Sequence, residues 1–342
     1  MIKRIVTGLF FLFLSISLVA KAVELNTEHP DKYTVKKGDT LWDISAMFLK
    51  YPWHWPDIWQ VNPQIENPHL IYPGDQLSLV YKNGQPVIEL NRGKRLVKLS
   101  PEVREIVLDK AISTIPLSAL GPFLSKPRVV GEEVMDKAPY VVASADERLI
   151  SGSGDFVYAK GLTSEDEDFS VFRQGDVYKD PDTGEILGYE AIHIGDAQRL
   201  TDGTPAKVGL QRTNKEVLIG DRLLPVENQE FEFNFIPRSP ESTISGRIIS
   251  VFDGVSQIGQ FQVIVLNRGL RDGLEAGHVL SVYKAGETIN DEVTEDRNDT
   301  VTLPDEHAGE AMVFKLYDKV SYAIVMKATR AMHVLDKVES AQ

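Results

Sequence analysis

The chain has no cysteine in its 342 residues. That one absence removes disulfides, thiolate-bound zinc, iron–sulfur clusters and every thiol nucleophile. Basic charge is also short. Lys and Arg number 37 against 50 Asp and Glu, for a net charge of −13. Nucleic-acid binders carry basic patches, so this balance argues against that class. Charged residues make up 25% and hydrophobic residues 42% of the chain, values of a soluble globular protein and not of a multispan membrane protein. The length predicts two or three domains. Tryptophan is scarce and unevenly placed: all four lie between Trp42 and Trp59.

Catalytic signatures are missing too. The His residues 29, 54, 69, 193, 278, 307 and 333 form neither HExxH nor HxH, and no G-x-S-x-G occurs. Ser281 and Lys284 satisfy S-x-x-K, but no K-T-G follows and the segment reads as a strand, where such a nucleophile should open a helix. Asp180-Pro-Asp-Thr-Gly184 opens like a calcium loop but lacks the Glu at its twelfth position, and reads as a hairpin turn. Carboxylate pairs for glycoside cleavage converge only in space, so sequence order does not exclude them.

The N-terminus does have a long apolar run. Lys3 and Arg4 precede the apolar stretch Ile5–Val19, and Ala20-Lys21-Ala22 is an A-x-A site. This is the three-part pattern of a secretory signal peptide, and the run is short for a bilayer span. Residues 1–22 are expected to be removed after Ala22, taking the net charge from −13 to −16. The expected location is the periplasm, with no membrane span after cleavage.

Residues 32–81 read as strand, helix, helix, strand. Tyr33-Thr-Val35 is a β-type run, and Lys36-Lys-Gly-Asp39 is a turn. Thr40 with Asp43 forms a capping pattern ahead of the apolar face Leu41, Ile44, Phe48 and Trp42. Pro56 and Asp57 suit the start of a second short helix, whose Ile58, Trp59 and Val61 face inward, and Asn62-Pro63 stops it. Ile71-Tyr-Pro-Gly74 is a type II turn, and Leu77, Leu79 and Tyr81 alternate as a closing strand.

These residues carry a resemblance. "YTVKKGDTLWDIS" followed by "NPQIENPHLIYPGDQLSLV" is similar to a LysM domain over residues 33–80. The resemblance implies a βααβ fold and binding of N-acetylglucosamine glycans, chiefly peptidoglycan and chitin. It places the sugar in a shallow groove between two loops. One is Gly38, Asp39, Thr40 and Leu41; the other is Asn62, Pro63, Gln64, Ile65 and Asn67. Backbone groups and short polar side chains pair an acetamido group, and Leu41, Pro63 and Ile65 cover its methyl. Two readings stay open for Asp39 and Thr40, capping or ligand contact, and two for Ile65, core or ligand contact. Of the four Trp, Trp42 and Trp59 are expected to fill the domain core. Trp53 and Trp55 touch either ligand or another domain. The stretch "FLKYPWHWPDIW" is longer and more aromatic than the usual turn between the two helices.

Residues 82–130 read as a linker with short helices, with a strand pair over 82–98 as the alternative. It holds the basic cluster Arg92, Lys94, Arg95 and Lys98, a helix from Ser100 to about Ile112, and another over 117–124. Residues 131–226 and 246–342 read as two β-rich modules, barrels or sandwiches, joined by a Pro-containing segment. A weak internal repeat links them: "RQGDVYKD" parallels "EAGHVLSVYKAG", and "VLIGDRLLP" parallels "MHVLDKVES". An acidic insert near 286–302 reads as a solvated loop.

The fold class expected is therefore α+β: a small βααβ LysM-like domain, a helical linker and mostly-β C-terminal modules. The expected function is non-enzymatic peptidoglycan binding in the bacterial cell envelope, with no catalytic residue, cofactor or metal. The expected partners are peptidoglycan glycan strands and an envelope protein held by the C-terminal modules. The alternatives are a cell-wall hydrolase with an unrecognised glycosidase-like tail, and an envelope scaffold.

Overall fold

The structure is a computed structural model that describes residues 23–59, 70–92, 111–115, 128–145, 149–163, 166–226, 236–252, 257–291, 293–294 and 298–341. The expected signal peptide, the loop residues Asn62, Pro63, Gln64, Ile65 and Asn67, and the helix over 117–124 lie outside the described residues.

The N-terminal domain is built on strand β1 (Lys32–Thr34), helix α1 (Leu41–Phe48), a one-turn helix α2 (Trp55–Ile58) and strand β2 (Gln76–Lys82). Thr40 caps α1 as expected, its hydroxyl accepting from the Asp43 N–H at 3.1 Å. A 3-10 turn, Pro52–His54, leads into α2. The other end of α1 is capped by the segment before β1. Asn26 donates its backbone N–H to the Phe48 carbonyl and its side-chain amide to that of Ala46, satisfying carbonyls that a helix end leaves without partners.

One boundary needs correction. Residues 82–91 are not linker: β3 (Gln85–Asn91) pairs antiparallel with all of β2 and completes a three-stranded sheet. Asn83-Gly84 makes the turn with both residues at positive φ, the strongest short hairpin signal in sequence. Ile88 and Leu90 of β3 join Ile44, Phe48, Trp55, Trp59 and Leu77 in the domain core. The helix expected to run to Ile112 is also corrected at its described end, since residues 111–115 are not helical. Ile112, Thr114 and Ile115 are β-branched, and Ile115 precedes Pro116, which disfavours helical backbone.

The rest of the described chain is mostly β, so the α+β class holds only for the N-terminal domain. Strand β4 (Arg128–Val130) and helix α3 (Glu132–Lys137) lead into β5 (Tyr140–Ser144), β6 (Phe156–Lys160), β7 (Asp168–Lys179), β8 (Ile186–Thr201), β9 (Ala206–Thr213) and β10 (Arg222–Pro225). Pairing runs β8-β7-β10-β5-β6-β9, and β9 pairs back onto β8, closing a ring with β4 added on β8. The second unit is a closed barrel, β11-β12-β17-β16-β13-β18. Its strands are β11 (Ser245–Val251), β12 (Val263–Leu266), β13 (Val279–Lys284), β16 (Glu306–Leu316), β17 (Ser321–Ala328) and β18 (Lys337–Ser340). In strand order within each unit, both rings connect first, second, fifth, fourth, third, sixth. The weak sequence repeat thus corresponds to a shared topology. The acidic insert is a small exposed ribbon of β14 (Thr288–Asn290) and β15 (Thr300–Thr302) at its base, not only a loop.

Alternation along the second barrel's strands separates two cores. Ile264, Leu266, Ala323 and Val325 fill the interior. Val263, Val265, Tyr322, Ile324, Met312 and Phe314 share another cluster with Trp42, Trp53 and Ile115 from the N-terminal side and Tyr178 and Leu187 from the first barrel. Each strand of this wall is therefore apolar on both faces.

Candidate functional site

The first candidate loop is a tight turn. Gly38 takes φ +97°, a conformation that favours glycine. The Asp39 carboxylate accepts from the Lys36 N–H and from the Tyr33 hydroxyl, both at 2.8 Å. Burial, and then this hydrogen bond, push the Tyr33 hydroxyl up to about 12. Asp39 is thus engaged inside the loop. The same device recurs elsewhere. The Asp75, Asp155, Asp221 and Asp336 carboxylates each accept the N–H three residues earlier, across a residue at positive φ. Four of these five aspartates lie outside the candidate loop, so turn closure accounts for Asp39 without a ligand. Thr40 is likewise committed, accepting from the Asp43 N–H and donating to the Asp43 carboxylate at 2.7 Å. Its own side chain is buried, as is Leu41.

What remains for ligand chemistry is backbone. The first N–H groups of α1 have no partner within the helix, and they carry its partial positive charge. Thr40 serves the Asp43 N–H, leaving those of Leu41 and Trp42. In this structure the Leu41 N–H donates to the Ser113 carbonyl at 3.0 Å and the Trp42 N–H to the Thr114 carbonyl at 3.1 Å. The Ile112 N–H donates to the Ile71 carbonyl at 2.8 Å. The segment Ala111–Ile115 therefore bridges the β1–α1 loop and the return loop before β2. Sequence reading missed it, because it lies 70 to 74 residues from Leu41 and carries no motif.

The return loop is held by Arg92. Its guanidinium donates to the Asp75 carboxylate and the Leu70 carbonyl, and stacks on the Tyr72 ring at 5.1 Å. The basic cluster in sequence thus contributes at least one structural clamp. The second candidate loop, from Asn62 to Asn67, falls outside the described residues, so the structure brings only Gly38 to Leu41 together.

No tryptophan offers a face to sugar. Trp55 and Trp59 stack at 5.0 Å within the domain core. Trp59 is where it was expected. Trp42 is not: it leaves the domain core and joins Trp53, 6.5 Å away, in the cluster shared with the second barrel. Helical spacing places Trp42 on an apolar face but does not say which partner covers that face. For Trp53 the structure selects the domain contact, and for Trp55 the core.

A cleft of about 540 Å³ on the first barrel is lined by Arg128, Asp168, His193, Asp196, Gln198 and Arg212. His193 there is bonded to Asp196 at 3.0 Å and to Asn214 at 3.1 Å, a closed arrangement. Ser281 of the S-x-x-K match lies mid-strand in β13 and is buried.

The family model for the LysM domain matches residues 33–80. The uncharacterised protein YqbP of Bacillus subtilis (strain 168) is 42% identical over 60 residues, which are 15% of this chain and 27% of that protein. The chain thus spans about a quarter of the curated relative it matches. This chain carries a LysM domain, and a LysM domain implies binding of peptidoglycan- or chitin-type glycans.

Proposed function

We propose that the protein is an exported, non-catalytic glycan-binding protein of the bacterial envelope. Its LysM domain holds N-acetylglucosamine polymers at the loop Gly38–Leu41, and its two barrels serve as a rigid body for a protein partner. The observation that carries this reading is the LysM match together with a capped helix N-terminus whose Leu41 and Trp42 N–H groups, unused within the helix and held here by the Ser113 and Thr114 carbonyls, suit an acetamido carbonyl. The acidic balance of the chain disfavours adhesion to anionic wall polymers by charge alone, which leaves recognition to neutral sugar. The periplasmic location rests on the charged, apolar and A-x-A pattern of residues 1–22.

The test is retention of the full chain on purified peptidoglycan and on chitin, with elution by soluble tetra-N-acetylchitotetraose. Retention that the soluble glycan reverses is expected, with no loss of peptidoglycan turbidity over hours. Absence of retention by both the chain and its Ile115→Ala variant would overturn the glycan reading. Falling turbidity would replace it with a hydrolase.

A further inference from the structure

We propose that the segment Ala111–Ile115 is a strap that occupies the N–H donors at the LysM loop Gly38–Leu41 and the start of α1, so that glycan binds there only when the strap leaves. The inference rests on the glycan reading of the loop Gly38–Leu41 and adds its regulation.

An N-acetyl group is an amide: one N–H, one carbonyl and a methyl. The strap offers amide carbonyls to the same loop and an amide N–H to the return loop. Its Ser113 and Thr114 carbonyls take the Leu41 and Trp42 N–H groups, and its Ile112 N–H takes the Ile71 carbonyl. Each N–H makes one good hydrogen bond, so a sugar carbonyl and a strap carbonyl exclude one another there. The strap also meets two segments at once, the start of α1 at Leu41 and Trp42 and the return loop before β2 at Ile71. It is anchored by side chains as well as backbone. Ile112 packs against the LysM core, and Ile115 is 1% exposed in the cluster that joins Trp42 and Trp53 to the second barrel.

This anchoring ties the loop to the barrels. Ile115 belongs to the same hydrophobic cluster as Tyr322, Phe314 and Ile324 of the barrel wall. Pulling the strap out removes Ile115 from that seam, so glycan binding loosens the contact between LysM domain and barrel. Linkage makes the effect reciprocal: anything that loosens the seam raises glycan affinity by the same factor.

The experiment uses the full chain and tetra-N-acetylchitotetraose. Calorimetric titration of Ile115→Ala is expected to show affinity about tenfold or more above the unaltered chain, because the open fraction no longer limits binding. Independently of any variant, hydrogen exchange on the unaltered chain is expected to show the Ile112 amide losing protection as glycan saturates, while Leu41 and Trp42 stay protected. An Ile112 amide still protected at saturation overturns the strap and leaves the glycan reading standing, whatever the variant does. An absence of binding by both proteins overturns the glycan reading, and the strap with it.

Discussion

Asp39 illustrates how a motif residue can be committed inside its own loop. Its carboxylate closes the turn and holds Tyr33, and Thr40 beside it caps α1. Thr40→Ala is expected to cost about 1 kcal/mol of stability, read as a lowered urea midpoint with unchanged slope. The recurring aspartate turn makes a second prediction. The first barrel has Gly220 at the positive-φ position before Asp221, but the second has Leu335 at φ +79° before Asp336, half exposed. Leu335→Gly is expected to stabilise by up to about 1 kcal/mol. Relief of left-handed strain exceeds the entropy that glycine adds to the unfolded chain, and little apolar area is lost. A thermal melt of the variant checks the sign. At this scale the turns were legible, since Gly-Asp is strong local chemistry. Which group each aspartate serves was not, because Tyr33 meets Asp39 only through the fold.

The β7–β8 hairpin is the element that joins the two barrels. Its tip reaches the second barrel with three acids in six residues. Asp180 accepts from the Asn267 amide at 3.0 Å and the Arg268 guanidinium at 3.3 Å, Asp182 pairs with Arg247, and Glu185 takes Arg271 through two bonds of 2.8 Å. Burial pushes the Asp180 carboxyl up, but the backbone N–H groups of Thr183 and Asp182 and the Arg268 and Asn267 side chains outweigh it, and the net shift is down. Arg271 and Lys319 hold Glu185 at about 2. Both groups are depressed in the folded state, so their contribution is complete above the ordinary carboxylate range and is lost as pH falls toward the folded values. Thermal midpoints measured between pH 5 and pH 2.5 are expected to drop steeply, and Glu185→Gln to drop less across that window while starting lower. Asp180→Ala strands the fully buried Asn267 amide and is expected to cost about 1–3 kcal/mol by chemical denaturation. The sequence showed this segment as a hairpin turn from Asp180 to Gly184. It did not show the docking, which depends on arginines more than sixty residues away. The Asn83-Gly84 hairpin is the opposite case: its signal is fully present in the sequence, where the polar, Gly- and Pro-containing stretch 82–98 fits a strand pair as well as a linker.

Across the described residues, the LysM domain shares a hydrophobic cluster, its seat, with one wall of the second barrel and with Tyr178 and Leu187 of the first. The internal repeat was visible as paired fragments, and the shared strand order gives it physical meaning. The seat was not visible, because a barrel strand with apolar residues on both faces, such as Val263–Leu266, looks the same whether its outer face meets a partner or a second sheet. Trp42 and Trp53 are the seat's main groups on the LysM side, and their placement allows a direct measurement. All four tryptophans lie in the LysM domain, whereas the barrels hold most of the strands. Tryptophan fluorescence therefore reports unfolding of the LysM domain, and far-ultraviolet circular dichroism reports mainly the barrels. If the seat couples the units, the two signals follow one transition in the unaltered chain. Trp53→Ala removes a large side chain, 4% exposed, from the seam at an expected cost of about 3–5 kcal/mol. The loss falls on the contact and spares the barrel interior, so the fluorescence transition is expected to move below the dichroism transition and separate from it. Two transitions that shift together in Trp53→Ala would instead show a cooperative unit that does not depend on this contact. Two transitions already separate in the unaltered chain would show that the seat contributes little to holding the domain in place.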